Sequence, residues 1–520
     1  MNMKRTITSL AIIAALALCH GCYRDLGNYD YVELDKVVID TAGTGTLASY
    51  AVYRYDTLRI SPNVLYNDEL VNPDNPQFAN LDFTWSIFQA TVGGTVYSRD
   101  TLSKSVHLEA PVTRPSGSWI VHLSVKNTDT GVETYFRTAV QVDETVSDGW
   151  LVLYETEDGN TDVGLIVDDY VKNGAQKERV FTGLFAGTNG RPLKGRPTAV
   201  CHSAACIGSG EILIGSENEL LAVDKISFEP TFPFESLFWE APGKQAPTAI
   251  ISNVFRKELV INDNHIHTSN FMTSGITRTN YFGEASFGTH GRLAPWAAQF
   301  AANCFDAVVY DQEAGRFLQL PYGDVTVAGF AEQDMSLCAF DVNNVGMEMI
   351  ASDYGRNYTE FSLMKDASGY ALLASDFMNT DQTSTGIGVG RYDLTGFPEI
   401  EKACTLVGTL NGEYVYYGGG SGLYIFKYNS GNPAYRVWKA PDGEVVTCAG
   451  IMKMTHTQIY ETLMPNPCQL VFIATYSENE RTGKVYEYLI DPANGELVTS
   501  SERVRSGFGR ITAMCYKWSF

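Results

Sequence analysis

The chain has 520 residues and a formal net charge of -22, and it contains 47 glycines, 29 tyrosines and 26 phenylalanines. A chain of this length exceeds what one hydrophobic core supports, so we expect two or more domains. The acidic balance supplies no basic footprint for phosphate contacts, which excludes nucleic acid as an expected partner and favours simple surface solubility. The glycine and aromatic content favours an all-β protein rich in turns.

The first 21 residues are typical of a secretory leader. Lys4 and Arg5 form its basic end, and the apolar run at 10–18 is too short to span a bilayer. The run ends in Leu-Cys-His-Gly-Cys, which has the form of a bacterial lipobox. We therefore predict a lipoprotein signal peptide at 1–21, lipidation of Cys22 and a polar tether at 22–31. The alternative is an ordinary signal peptide in which Cys22 has no role.

Residues 32–145 contain short segments whose apolar residues alternate with period 2, as in strands. These segments are 36–39, 56–61, 82–88, 105–108, 119–125 and 135–142. Their number and spacing predict an immunoglobulin-like β-sandwich. Trp85 lies in the middle of its segment, and we expect it to be the core aromatic between the sheets.

The N-terminal region resembles a known family. The lipidated cysteine, the segment Tyr-Arg-Asp-Leu-Gly-Asn-Tyr-Asp-Tyr at 23–31 and the strands at 82–87 and 121–125 resemble the PKD-like lipoproteins of Bacteroidetes. The resemblance covers mainly residues 22–145. It implies a PKD-type sandwich, often followed by a propeller, and association with outer-membrane uptake systems of the SusC and SusD kind. It implies no catalytic residues. Cys19 and His20 depart from the usual lipobox.

Residues 146–520 contain hairpin patterns that recur at intervals of about 50 residues. Each has two runs of aromatic and β-branched residues around a short turn, as at 414–417 and 423–426 on either side of a glycine-rich turn. The hairpins begin at Trp150, Glu211, Glu258, Ala307, Glu360, Glu413 and Gln469. Seven units of this size predict a seven-bladed β-propeller with four strands in each blade.

A short segment with small residues precedes several hairpins, and we interpret it as the innermost strand of a blade. It has the sequences Pro-Thr-Ala-Val at 197–200, Pro-Thr-Ala-Ile at 247–250, Pro-Trp-Ala-Ala at 295–298 and Val-Thr-Cys-Ala at 446–449. The pattern recurs at 511–514, where no hairpin follows, and it is missing before Trp150. We therefore predict that the C-terminal strand completes the first blade and closes the ring without a free sheet edge.

Ligands of propellers usually lie at the mouth of the central channel, so the residues that end the innermost strands are candidates for binding. On this basis we select His202, Asn253, Gln299 and Phe300. Trp239 and Trp296 are candidate stacking platforms for sugar rings, because the apolar face of a sugar matches an indole. The alternative for each is a packing or rim residue, with Trp239 the more exposed of the two tryptophans.

Metal and catalytic signatures are weak. His265 and His267 alternate on a strand and share a face, which makes them weak metal candidates, although no third ligand can be placed and we predict no metal site. The sequence shows no phosphate-binding loop and no nucleophile elbow, so we assign no catalytic residue and no cofactor. The cysteines after Cys22 lack a metal-type spacing and are expected to be mostly small buried residues.

These patterns predict a lipid-anchored, two-domain all-β protein of the outer membrane, facing the periplasm or the cell surface. We expect a tether at 22–31, a sandwich at 32–145 and a propeller at 146–520. The leading hypothesis is a non-catalytic binding or scaffolding component of a nutrient uptake system, with a glycan or a protein as ligand and SusC/SusD-like proteins as partners. The alternative is a propeller enzyme, a glycosidase or lyase, that acts on a polysaccharide.

Overall fold

The computed structural model describes residues 35–53, 56–89, 99–112, 114, 116–143, 146, 148–175, 177–203, 211–255, 257–270, 281–453 and 464–518. The predicted signal peptide, Cys22 and the tether lie outside these residues. Strands dominate the described part of the chain, which is all-β as predicted. Nowhere within it is there a helix with the length and apolar character needed to cross a membrane.

The chain divides into two compact units. The first unit comprises residues within 1–47, 59–110 and 120–138, and the second comprises 48–58, 111–119 and 139–520. The second unit thus includes three segments that precede residue 146, namely 48–58, 111–119 and 139–145.

The N-terminal strands form three sheets in the described residues. Their bounds are β1 Val37–Asp40, β2 Ser49–Tyr53, β3 Thr57–Ile60, β4 Asn63–Tyr66, β5 Glu69–Leu70, β6 Leu81–Gln89, β7 Asp100–Ser103, β8 Leu108–Pro111, β9 Gly117–Asn127 and β10 Glu133–Asp143. The strand orders are β1-β4-β5, β2-β10-β9-β6-β7 and β3-β8. Trp85 of β6 is fully buried, as predicted, and its indole Nε1 donates a hydrogen bond to the Ser105 carbonyl at 3.0 Å.

The second unit contains seven antiparallel sheets among its described residues. Their strands are β11 Gly149–Glu155, β12 Thr161–Val167, β13 Arg179–Phe181, β14 Pro197–His202, β15 Glu211–Ser216, β16 Leu220–Asp224, β17 Pro230–Phe232, β18 Pro247–Ser252, β19 Lys257–Asn262, β20 His265–Asn270, β21 Leu293–Ala297, β22 Phe305–Asp311, β23 Arg316–Pro321, β24 Glu348–Tyr354, β25 Glu360–Lys365, β26 Tyr370–Ser375, β27 Gly388–Asp393, β28 Ala403–Gly408, β29 Val415–Gly419, β30 Gly422–Phe426, β31 Tyr435–Lys439, β32 Glu444–Ile451, β33 Leu470–Ser477, β34 Thr482–Leu489, β35 Arg503–Phe508 and β36 Arg510–Lys517. The sheets are β13-β12-β11-β36, β14-β15-β16-β17, β18-β19-β20, β21-β22-β23, β24-β25-β26-β27, β28-β29-β30-β31 and β32-β33-β34-β35.

Short helices lie between some of these strands. The α-helices are α1 Leu184–Asn189 and α2 Phe234–Leu237, and the 3-10 helices are Pro76–Phe78, Arg356–Tyr358, Ile400–Lys402 and Thr499–Ser501. All seven predicted hairpins are present as antiparallel pairs, namely β11–β12, β15–β16, β19–β20, β22–β23, β25–β26, β29–β30 and β33–β34.

The first strand of each of these seven sheets, which is β36 in the sheet that contains β11, has an irregular register against its neighbour. The irregularity skips one residue in six of the strands and three residues in β21. In each, the register against the second strand shifts near the start of the strand, and a small residue follows the shift. These small residues are Ala199, Ala249, Ala297, Ala351, Thr405, Cys448 and Ala513. A β-bulge bends a strand and increases its twist. The small-residue pattern seen in the sequence therefore marks a bend of the backbone that recurs from one repeat to the next.

The first strands also lie beside one another. Contacts join β14 to β18, β18 to β21, β24 to β28, β28 to β32 and β32 to β36, and β36 also contacts β14. The C-terminal strand β36 pairs antiparallel with β11, from Gly149 opposite Lys517 to Glu155 opposite Arg510. The last strand of the chain therefore belongs to the same sheet as β11.

Buried acids at the start of the second strand link consecutive sheets. Glu258 accepts a hydrogen bond from the Ser203 hydroxyl, and Asp306 pairs with the Lys257 ammonium at 3.0 Å. Glu360, the first residue of β25, accepts hydrogen bonds from the backbone N–H groups of Gln299 and Phe300, which follow β21. Each acid is at most 3% exposed. Because each donor lies in or just after a strand of the preceding sheet, the acids fix neighbouring sheets to each other in addition to their apolar contacts.

Candidate functional site

A cavity of about 380 Å³ lies where the first strands of the second unit meet. Six of the seven sheets contribute strand residues to its wall, and Gln299, which follows β21, contributes beside the remaining sheet. The contributing residues include Val200 to His202, Ile250, Ser252, Gln299, Ser352 to Tyr354, Thr405, Leu406, Cys448 to Ile451, Lys453 and Thr512 to Tyr516. Its volume lies within the range of small-molecule sites, roughly 300–1,000 Å³.

One ion pair forms part of the cavity wall. The Lys453 ammonium donates to Asp353 Oδ2 at 2.6 Å, to the Tyr354 carbonyl and to the Gly408 carbonyl at 2.9 Å. The carboxylate of Asp353 also accepts from the backbone N–H groups of Gly408 and Tyr354. Burial raises the pKa of Asp353, and the positive charge of Lys453 opposes this rise. All three protons of the ammonium thus have acceptors within the protein.

Lys453 connects three sheets through these contacts. It follows β32, whereas Asp353 and Tyr354 belong to β24 and Gly408 to β28. Its ammonium also lies 3.9 Å from the centroid of the Tyr354 ring, which adds a cation–π contact. The side chain of Lys453 is 8% exposed.

His202 lies in the wall of the cavity, as the sequence predicted for a residue at the end of an inner strand. Its Nδ1 accepts a hydrogen bond from the backbone N–H of Trp518 at 3.1 Å, and the two rings lie 3.6 Å apart. Burial lowers the pKa of His202 well below its ordinary value, and the charges of Lys517 and Lys225 lower it further. The imidazole is therefore neutral. Its buried Nε2 has no hydrogen-bond partner within the described part of the chain.

Gln299 also lines the cavity, whereas Phe300 is buried beside it. The backbone N–H groups of both residues donate to Glu360 Oε1 at 2.8 Å. The Phe300 ring stacks on Tyr358 with centroids 4.5 Å apart. Burial raises the pKa of Glu360 to about 8. In this pair the backbone forms the link between sheets, and the Gln299 side chain is the part adjacent to the cavity.

The remaining predicted site residues lie away from the cavity wall. The side chain of Asn253 accepts from the backbone N–H groups of Phe255 and Lys257, so it shapes the turn after β18. Trp296 is 8% exposed and belongs to a hydrophobic cluster. Trp239 is 74% exposed, and its ring meets that of Tyr281 at 5.1 Å.

The two histidines of β20 have separate surroundings. His265 is exposed and its Nδ1 lies 2.9 Å from the Asp263 carbonyl. His267 is buried, with Nδ1 3.0 Å from the Gly283 carbonyl and its ring edge-on to Phe238. Within the described ranges no three metal-ligating side chains come together.

Sequence reasoning missed Ser252, Asp353, Lys453 and Trp518 as residues of the cavity wall. A signal for Asp353 was present: Met349-Ile350-Ala351-Ser352 occupies the same place relative to the bulge as Pro197-Thr198-Ala199-Val200. Lys453 carried no local signal, because its partner lies 100 residues earlier in the chain.

Comparison with known proteins gives one family match. Residues 22–197 match the PKD-like family, which is consistent with the resemblance found in the sequence and extends past the predicted sandwich to the start of β14. No curated protein matches the chain.

The structure of this chain is similar to several solved structures, among them the following two. One is a quinonprotein alcohol dehydrogenase-like protein from Bacteroides thetaiotaomicron, with 12% identity and a TM-score of 0.39, covering 93% of this chain and 99% of that chain. The other is a protein from Lactobacillus plantarum, with 11% identity and a TM-score of 0.43, covering 71% of this chain and 98% of that chain. With both TM-scores below 0.5, neither likeness bears on activity.

Proposed function

We propose that the protein is a non-catalytic binding or scaffolding protein whose second unit holds a small ligand in the cavity between its seven sheets. The observation that carries this proposal is the cavity itself, since residues on or beside all seven sheets form its wall. A concave site built from several elements, with a few polar groups among apolar ones, is the usual form of a small-molecule site. Asp353, the carboxylate in the wall, is held by Lys453 and two N–H groups, which suits a structural role.

We infer that the seven sheets are the blades of a β-propeller closed by β36. The repeated bulge, the contacts between first strands and the β11–β36 pair support this arrangement. In such a ring the cavity lies on the axis, where ligands of propellers usually bind. The PKD-like match supports an immunoglobulin-like sandwich for the N-terminal region.

We further propose that Cys22 carries a lipid anchor in the outer membrane and that the protein is an accessory component of a nutrient uptake system. The lipobox pattern and the PKD-like match support this context. The acidic surface, with a net charge of -22, suits solubility beside a membrane rather than binding to it. SusC/SusD-like proteins are the proposed partners.

The test of this context is purification of the acylated protein from its native membrane, followed by mass spectrometry of the proteins that accompany it. We expect a transporter and its lid protein to co-purify. A Cys22→Ser variant, which removes the acylated thiol, is the matched control and is expected in the soluble fraction. Recovery of the wild-type protein alone would contradict the uptake role, and turnover of a polysaccharide by the pure protein would contradict the non-catalytic one.

A further inference from the structure

Two polar groups in the cavity wall have no hydrogen-bond partner among the residues that the structure describes. They are Nε2 of His202, a residue that is 4% exposed, and the hydroxyl of Ser252, which is 7% exposed. Both residues line the cavity. They occupy equivalent positions, the sixth of β14 and the sixth of β18, on strands that contact each other. A buried polar group without a partner costs about 1–3 kcal/mol, so two such groups beside one cavity indicate a missing partner.

The chemistry of these two groups is defined. Because Nδ1 of the neutral His202 accepts from the Trp518 N–H, the ring proton is on Nε2, which is a hydrogen-bond donor. The Ser252 hydroxyl can both donate and accept. The missing partner therefore offers an acceptor to His202 and a hydroxyl or carbonyl group to Ser252.

The charges around the cavity are already balanced. The Lys453 ammonium has three acceptors, and both oxygens of Asp353 accept hydrogen bonds. Burial lowers the pKa of Lys225 and of Lys517, which act on His202, and the charges of Asp148 and Asp224 oppose this lowering. An ionic ligand would lose its hydration without gaining an unpaired counter-charge, which is costly. This balance favours an uncharged ligand.

Aromatic rings supply the apolar part of the wall. Trp150, Tyr354, Phe472 and Trp518 all line the cavity. Trp518 is half-buried, whereas Trp150, Tyr354 and Phe472 are at most 4% exposed and belong to the core. A sugar ring combines hydroxyl groups at its rim with apolar C–H faces that suit an apolar wall of this kind. Building on the function proposed above, we propose that the cavity binds a neutral saccharide of one or two rings, with a sugar oxygen accepting from His202 Nε2 and a hydroxyl meeting Ser252.

The experiment is calorimetric titration of the full chain with maltose, cellobiose and lactose, and with galacturonic acid and glucosamine as charged probes. We expect at least one neutral disaccharide to bind and the charged sugars to bind much more weakly. Ser252→Ala and His202→Phe are each expected to weaken binding about tenfold, the value of one or two hydrogen bonds.

Ser269→Ala is the matched control, because it removes another buried hydroxyl without a partner, on β20 and outside the cavity wall. We expect it to leave binding unchanged. Ser252→Ala should keep the unfolding temperature of the wild type while weakening binding, a combination that a purely structural serine would not give.

Three results would overturn the inference. Tighter binding of a charged sugar that depends on Ser252 would keep the cavity as a binding site but reject the neutral class. Loss of binding in Trp239→Ala with no effect of Ser252→Ala would move the site to the exposed tryptophan. Failure of every neutral probe to bind would reject the saccharide, while the membrane purification would still decide the proposed role.

Discussion

In the cavity wall, the ammonium of Lys453 joins three sheets through its hydrogen bonds. Replacement by methionine keeps most of its volume but leaves Asp353 without its counter-charge. We predict that Lys453→Met destabilises the second unit by about 3–5 kcal/mol, the cost of breaking a buried pair from one side. Denaturant unfolding followed by tryptophan fluorescence measures it.

The control for this prediction is the double variant Lys453→Met, Asp353→Asn, which removes both charges. It should recover a large part of the lost stability, because no unpaired carboxylate remains buried. Equal stability of the single and double variants would show that the charge of Asp353 is not what makes the single change costly.

Glu360 makes stability depend on pH. Its pKa is raised by burial from 4.5 to about 8, so the folded state holds its proton more tightly than the unfolded state does. The resulting stabilisation is complete below pH 4.5, decreases as pH rises and is absent above about pH 8. We predict that Glu360→Gln, which keeps an acceptor for Gln299 and Phe300 but never ionises, flattens this decline between pH 5 and 8 in thermal unfolding.

A suitable control for Glu360 is Glu348→Gln, since Glu348 is an exposed residue whose side chain is 46% accessible. Its replacement should leave the pH profile parallel to that of the wild type. A Glu360→Gln protein that still loses stability like the wild type would assign the decline to other groups, such as Glu487, whose pKa burial also raises to about 8.

At the scale of elements, the repeated bulge places a small residue where the first strands crowd together. Ala249 is 2% exposed and packs with Leu259 and Ala297 in one cluster, whereas its neighbour Thr248 is exposed. We predict that Ala249→Leu costs about 1–3 kcal/mol through overpacking, and that Thr248→Val changes stability by less than about 0.5 kcal/mol. Thermal unfolding of the two variants tests whether a larger side chain at the bulge lowers the stability of the protein.

The hairpins could be predicted from sequence because their information is local: two apolar runs and a turn lie within about 20 residues. The inner strands β24 and β28, with Met349-Ile350-Ala351-Ser352 and Ala403-Cys404-Thr405-Leu406, were not predicted. In the N-terminal region the sequence predicted the four-residue strands β1 and β3 but not β2, β4, β5 and β7, and strands of two to five residues give few alternations to count. The strand expected at 105–108 begins only at Leu108, because residues before it form a turn in which Ser105 N–H bonds the Ser103 hydroxyl.

The site was less predictable than the fold for a physical reason. His202 and Gln299 followed from the rule that residues at the ends of inner strands are candidates for binding. Asp353 and Lys453, by contrast, acquire their roles only from each other, across a separation of 100 residues that no local pattern encodes. The lack of a hydrogen-bond partner for the Ser252 hydroxyl likewise depends on packing. The sequence does not distinguish this serine from any other serine in a strand.

At the scale of the whole molecule, loss of β36 would affect both the first sheet of the second unit and the cavity. It covers the edge of β11 and forms part of the cavity wall through Thr512 to Tyr516. We predict that a chain ending at Gly509 forms aggregates through the exposed β11 edge, whereas a chain ending at Trp518 remains monomeric and folded. Size-exclusion chromatography with circular dichroism distinguishes the two, and a monomeric, folded short chain would refute the edge argument.

The β11–β36 pair also sets the order in which the protein can be finished. Residues 149–155 leave the ribosome more than 350 residues before their partners at 510–517, and contacts so distant in the chain form slowly. Six sheets consist of strands that are near one another in sequence, but the first sheet waits for the last segment of the chain. Until β36 is made, the edge of β11 stays unpaired and accessible to chaperones and proteases. A chain whose synthesis stops early therefore exposes an unpaired strand edge that these proteins can recognise.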